Sequence, residues 1–134
     1  MNANVSYGRL CNALLENCPA ALANDPALRD TIVLAAGNPG KLVRARLVLS
    51  AALEHGLDDA PAERLACAVE YFHIASLMID DLPCMDDAFT RRGRSCAHKL
   101  YGEASTILGA RVVAGCDGGV VDAVRGARVV AKRD

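Results

Sequence analysis

Leu65-Ala66-Cys67-Ala68-Val69-Glu70-Tyr71-Phe72-His73-Ile74-Ala75-Ser76-Leu77-Met78-Ile79-Asp80-Asp81-Leu82-Pro83 is the stretch that decides the fold of this chain. From Leu65 to Ile79 it is apolar on nearly all sides, the pattern of a helix in the middle of a bundle. Asp59, with Pro61 in the first turn and Glu63 behind it, supplies the start signal, and Pro83 lies just past the end. Upstream, Tyr7, Leu10, Cys11, Leu14 and Cys18 recur at helical spacing until Pro19. A second helix is expected from Asp25-Pro26 to about Ala36, and Asn38-Pro39-Gly40 reads as a turn. Lys41 to His55 reads as a third helix, stopped by Gly56. Downstream, Ser95 is expected to cap a helix that Gly102 breaks, and Glu103 opens the next. No stretch alternates convincingly with period two, so the expected class is all-α.

The 134 residues are 52% apolar and 23% charged, with a formal net charge of −1, which suits one globular domain. Near-neutral charge gives no electrostatic footprint for nucleic acid, and no lysine run is present to attract a membrane surface. The first residues show neither a basic nor an apolar leader region, and no apolar stretch is long enough to span a bilayer. A cytoplasmic protein is the expectation. Six cysteines contain no C-x-x-C pair and read as reduced thiols; Cys96 and His98 alone are too few for zinc.

The chemistry gathers where the central helix ends. Asp80-Asp81-Leu82-Pro83-Cys84-Met85-Asp86-Asp87 sets two carboxylate pairs about a four-residue spacer, and Arg91-Arg92-Gly93 follows. Clustered carboxylates repel unless a cation sits between them. Mg²⁺ takes one or two carboxylates and lets substrate phosphates complete its octahedron, while arginine forks take further phosphate oxygens. The pattern points to a site for a metal-bound polyphosphate. A solvated acidic loop is the plain alternative, but Leu77, Met78 and Ile79 beside the cluster argue against it.

His73 and Asp80 are seven residues apart and share one helical face with Ser76. A lone histidine on such a helix is more often a core residue; its alignment with Asp80 favours a site. Lys41 and Arg44 face the same way at a helix start just after a glycine turn, where exposed N–H groups attract anions. On its own that basic pair would read as a solvated face.

These residues together resemble the trans-isoprenyl diphosphate synthase (polyprenyl synthetase) family, which includes farnesyl and geranylgeranyl diphosphate synthases. The block His73 to Asp87, then Arg91-Arg92-Gly93, His98 and Tyr101-Gly102-Glu103, is similar to the family's first aspartate-rich region. Gly40-Lys41-Leu42-Val43-Arg44 is similar to its upstream G-K-x-x-R motif. The resemblance implies the N-terminal part of the isoprenoid-synthase helical bundle around a central cavity, and a catalytic set of Asp80, Asp81, Asp86 and Asp87. It implies Mg²⁺ held by Asp80 and Asp86 against an allylic diphosphate, with Asp81 and Asp87 supporting. Arg91 is expected to bind the allylic diphosphate, and Lys41, Arg44, His73 and Arg92 to bind isopentenyl diphosphate. A homodimer is expected of the full-length protein. Ala75 and Ser76, small residues just upstream of Asp80, imply a product longer than farnesyl. Ala45 and Ile79 depart from the usual proline and histidine.

The resemblance covers residues 1–110. From Arg111 to Asp134, Val, Ala, Gly and Asp make up 18 of 24 residues, all encoded by codons beginning with G. The expectation is a frameshifted, non-matching tail over 111–134; the alternative is a β-prone tail with Val112-Val113, Val120-Val121 and Val129-Val130 as strands. No acidic pair occurs after Asp87, so the family's second aspartate-rich motif is missing and the chain is expected to be truncated and inactive alone. A non-catalytic partner subunit of a full-length synthase and a class I terpene cyclase fragment are the rival readings.

Overall fold

The computed structural model describes residues 3–115. Among these, six α-helices run in order: α1 (Ala3–Glu16), α2 (Pro26–Ala36), α3 (Val43–Glu54), α4 (Asp59–Asp80), α5 (Ala97–Tyr101) and α6 (Glu103–Ala114). A 3₁₀ turn, Pro19–Leu22, follows α1, and a two-stranded hairpin, β1 (Thr90–Arg91) with β2 (Arg94–Ser95), separates α4 from α5. The helix α4 is the axle, packed against α1, α2, α3 and α6. It buries Ala62, Ala66, Cys67, Tyr71, Ile74, Ala75 and Met78 along its length. The all-α expectation and the central place of this helix both hold.

Each neighbour contributes one apolar stripe. α1 turns Leu10, Ala13 and Leu14 inward, α2 supplies Ile32 and Ala36, α3 supplies Ala45, Leu49 and Ala52, and α6 supplies Ala110 and Val113. Two polar ties fix α1 on α4: the Tyr71 hydroxyl donates to the Leu14 carbonyl, and Arg9 pairs with Glu63 and, at 3.5 Å, with Asp59. Burial pushes the Cys67 thiol up to about 12, so it behaves as a small core hydrophobe.

Several boundaries differ from the sequence expectation for local reasons. Asp25 caps α2 as expected, its carboxylate accepting from Leu28 N–H at 2.8 Å. α3 begins at Val43 rather than Lys41, because Leu42 sits at φ +52° as its N-cap. Asp58, not Asp59, is the N-cap of α4, and its side chain makes no capping bond. Cys96 rather than Ser95 precedes α5, since Ser95 is paired with Thr90 in the hairpin. That hairpin escapes a period-two search because each strand has two residues. Its signature is the turn: Arg92 and Gly93 both have positive φ, +50° and +74°, as a tight two-residue connection requires.

α6 is continuous across residue 110 and ends at Ala114, with Val113 in the core. Val112 and Val113 are therefore helical, which corrects the strand expected there in the β-tail alternative. The valine pairs at 120–121 and 129–130 lie outside the described residues.

Candidate functional site

Pro83 cannot continue α4, so the chain turns back on itself. Asp86 N–H donates to the Asp80 carbonyl at 2.9 Å, Asp87 N–H to the Leu82 carbonyl at 3.0 Å, and Ala88 N–H to the Asp81 carbonyl at 3.2 Å. Asp87 takes the left-handed conformation, φ +48°, that Asp tolerates better than most residues. The loop thus brings Asp86 back beside the end of α4, where Asp80 stands half-buried and Asp86 exposed.

The other two carboxylates are already engaged. Asp81, only 5% exposed, accepts two bonds from Arg91, at 2.8 Å from Nε and 2.6 Å from Nη2. Cys96 Sγ donates to the same carboxylate at 3.5 Å. The Asp81 carboxylate holds the Arg91 guanidinium's proton above its ordinary range, while burial, aided by Asp81, pushes the Cys96 thiol up. Asp87 pairs with Lys99 at 3.8 Å, and Lys99 also lies 4.1 Å from the Phe89 ring centre. His98 bonds the Ala88 carbonyl at 2.8 Å, fastening the loop from the α5 side.

A basic group assembles next to this loop. Arg44 Nη1 meets His73 Nε2 at 3.2 Å, joining α3 to α4. Arg92 donates to the Asn38 carbonyl at 2.9 Å and lies across Gly40, where a Cβ would approach its Nη2 to 2.5 Å. Lys41, exposed, follows Gly40 directly. Lys41, Arg44, His73 and Arg92 therefore collect around the turn between α2 and α3, although they lie up to 51 positions apart in sequence. Asn38 and Cys96 take part without any signal in the sequence, because a backbone carbonyl and a buried thiol carry no motif.

Below Asp80 an open cleft of about 480 Å³ runs between α4 and α6, lined by Phe72, Ala75, Ser76, Ile79, Ile107 and Ala110. Phe72, 69% exposed, stands two turns down the helix from Asp80. A second, much smaller cleft, about 60 Å³, lies behind the hairpin against Asn38, Ile74, Met78, Asp81, Arg91 and Arg92. The first is the one that opens directly on Asp80.

The family model of polyprenyl synthetase matches residues 25–128. The chain belongs to the polyprenyl synthetase family. It is 42% identical over 99 residues to geranylgeranyl pyrophosphate synthase 6, mitochondrial, of Arabidopsis thaliana, covering 74% of this chain and 28% of that protein. It is 50% identical over 74 residues to a geranylgeranyl diphosphate synthase of Pantoea ananas, covering 54% of this chain and 24% of that protein. Among solved structures, a geranyltranstransferase of Thermotoga maritima aligns with a TM-score of 0.81 at 27% identity, over 90% of this chain and 45% of that one. An FPP/GFPP synthase of Zymomonas mobilis aligns with a TM-score of 0.75 at 30% identity, over 84% and 41%. The chain thus spans about a quarter of the length of these curated relatives, their N-terminal part, and under half of the solved ones. The helical fold is that of the isoprenoid synthases.

The donor set can be tested for the metal that polyprenyl synthetases imply. Among the described residues no three His, Cys, Asp or Glu side chains converge. Mg²⁺ does not need three: it takes one or two carboxylates and keeps its remaining positions for water and phosphate. Asp80 and Asp86, tied to each other through the backbone and not to a basic side chain in any ion pair of the described residues, fit that requirement. Also among the described residues, no helix is long and apolar enough to cross a membrane.

Proposed function

We propose that this chain is the N-terminal part of a prenyltransferase that condenses isopentenyl diphosphate with an allylic diphosphate, of the farnesyl/geranylgeranyl diphosphate synthase type. The observation that carries the reading is the juxtaposition of two differently charged loops. A free carboxylate pair, Asp80 and Asp86, stands at the end of α4, with the basic group of Lys41, Arg44, His73 and Arg92 beside it across the hairpin. Such a pair of sites would hold two diphosphates with their organic tails directed into one apolar cleft.

Asp80 and Asp86 would hold Mg²⁺, which when bound supplies the positive charge that makes diphosphate a good leaving group. Asp81 holds Arg91 in place, and the guanidinium's remaining N–H groups are free to take oxygens of the allylic diphosphate. Lys41, Arg44, His73 and Arg92 orient isopentenyl diphosphate so that its double bond can meet the allylic carbon. Loss of a proton then leaves a product five carbons longer. Phe72, Ile79 and Ile107 line the cleft and, with an opposite wall in place, would exclude water from the cationic stage.

Ala75 and Ser76 leave the upper cleft open as far as Phe72, eight residues and so about 12 Å along the helix from Asp80. This supports a geranylgeranyl-length product over a farnesyl one. The cleft is open on one side, and the described residues hold a single acidic pair for metal. The reading therefore includes that this chain is truncated and inactive alone, and needs an opposite wall of further helices, with a homodimer as its full-length state. The reading keeps the cytoplasmic expectation, with the cysteines at 11, 18, 67, 84 and 96 as free thiols.

The test has two stages. Calorimetry on the chain should show isopentenyl diphosphate binding that Lys41→Ala and Arg44→Ala each weaken at least tenfold. A full-length protein carrying these residues should then convert isopentenyl and geranyl diphosphates to a C20 diphosphate, resolved by chromatography. Dominant C15 product would overturn the length assignment. Release of cyclic hydrocarbon with isopentenyl diphosphate left unconsumed would establish the cyclase reading instead. The exposed apolar face of Phe72 and Ile107 also suits a non-catalytic partner subunit, which co-purification with an intact synthase and a change in its product length would establish.

A further inference from the structure

The turn between α2 and α3 is held from three sides, and one hold comes from a residue with no other place in the site. Arg92 grips the Asn38 carbonyl and lies over Gly40. Leu42 buries its side chain while its backbone takes φ +52°, a conformation that a branched residue adopts only when its surroundings impose it. The third hold is Tyr7 on α1, whose hydroxyl donates to the Gly40 carbonyl at 3.2 Å across 33 positions of sequence. The Cys11 side chain beside it, with burial, raises the phenol's pKa.

Gly40 O and Lys41 N–H belong to one peptide unit. That unit is planar and trans, as are all the described peptide bonds, so its oxygen and its N–H point to opposite sides. Fixing the oxygen on Tyr7 therefore fixes the direction of the Lys41 N–H. Two residues later α3 begins, and the N–H groups of its first turn have no partner within the helix. A run of backbone donors thus starts at Lys41, next to the Lys41 ammonium and the Arg44 guanidinium.

We propose that Tyr7 is a positioning residue for the diphosphate site at the start of α3: by holding the Gly40 carbonyl it aims the Lys41 N–H, and the donors that follow, at a bound phosphate. The inference rests on the reading of this turn as the isopentenyl diphosphate site. Tyr7 itself touches no substrate. Its contribution is to keep the peptide from rotating, so that the anion meets donors already set in place.

Tyr7→Phe in the whole chain removes the hydroxyl alone, at a position 37% exposed where the ring remains accommodated. Two readouts are taken: the Lys41 amide cross-peak in a ¹⁵N–¹H spectrum, and the affinity for isopentenyl diphosphate by calorimetry. The expected result is a displaced Lys41 cross-peak and an affinity about 3- to 10-fold weaker, with an unchanged melting temperature. An unmoved cross-peak overturns the proposal, and so does a moved cross-peak with wild-type affinity. A purely structural Tyr7 would show itself as a lowered melting temperature with affinity preserved in the folded fraction, which also overturns it. If the wild-type chain binds no isopentenyl diphosphate while the cross-peak still moves, Tyr7 does fix this peptide and the site's reading is what fails.

Discussion

Asp80 and Asp81 are neighbours in sequence and opposites in use. Successive residues at a helical end differ by about 100° in direction, so Asp80 borders the cleft while Asp81 turns back onto the hairpin and grips Arg91. Charge and spacing alone do not tell the two carboxylates apart, because they say nothing of which one meets an arginine ten residues later; only the family resemblance gives them different roles. Asp81→Ala should destabilise the chain by about 1–3 kcal/mol, since it leaves a half-buried guanidinium and the Cys96 thiol without their acceptor. Urea unfolding checks this, and an unchanged midpoint would show that the pair contributes nothing. His73 illustrates the opposite case. Its alignment with Asp80 argued for a site, and the structure supplies the partner, Arg44, that spacing could not name.

Among elements, the helices were legible because their apolar periodicity is long enough to read, and α2 was legible to the residue because Asp25-Pro26 is a strong start. The hairpin was not, since two-residue strands leave no period; only Arg92-Gly93 at its tip marks it. The join of α6 to α2 offers a measurable case. A Cβ on Gly109 would lie 3.1 Å from Thr31 Cγ2 and 3.4 Å from Met78 Cε. Gly109→Ala gains helix propensity of about 1 kcal/mol, which roughly offsets the tight contact, so stability should change little. Gly109→Leu has no such room and should cost about 1–3 kcal/mol by thermal unfolding, through wedging α6 from α2. Equal stability of the two variants would mean that the helices part freely.

For the molecule as a whole, the fold was readable and the site only partly so. The charged motifs named most of the side chains of the candidate site, because carboxylates and guanidiniums at that spacing suit a metal-bound polyphosphate. The supports of that site (Tyr7, Asn38, Cys96) act through backbone carbonyls or a buried thiol, and no local pattern announces them. The exposed apolar surface tells a similar story at larger scale. Phe72, Leu47 and Ile107 stand open beside clefts and helix faces, although the central helix predicted a bundle closed on all sides. A helix that is apolar all round records neighbours on every side, and the described residues cover only part of its girth.

The far end of α4 carries a last consequence. A helix accumulates negative potential at its C-terminus, and cations there are stabilising while carboxylates are not. The last turn of α4 holds no basic residue and ends on Asp80, with Asp86 folded against it. The chain therefore places two carboxylates at the negative pole of its longest helix with no basic residue in that turn, and a divalent ion held there would offset them. Asp80→Asn should accordingly raise the melting temperature in chelator, by an amount equivalent to about 0.3–1 kcal/mol. Added Mg²⁺ should stabilise the wild type and leave Asp80→Asn unmoved. A variant less stable than wild type in chelator would show that no such tension is stored there. If it is, a cation held between these carboxylates would steady the end of the central helix as well as fill the candidate site.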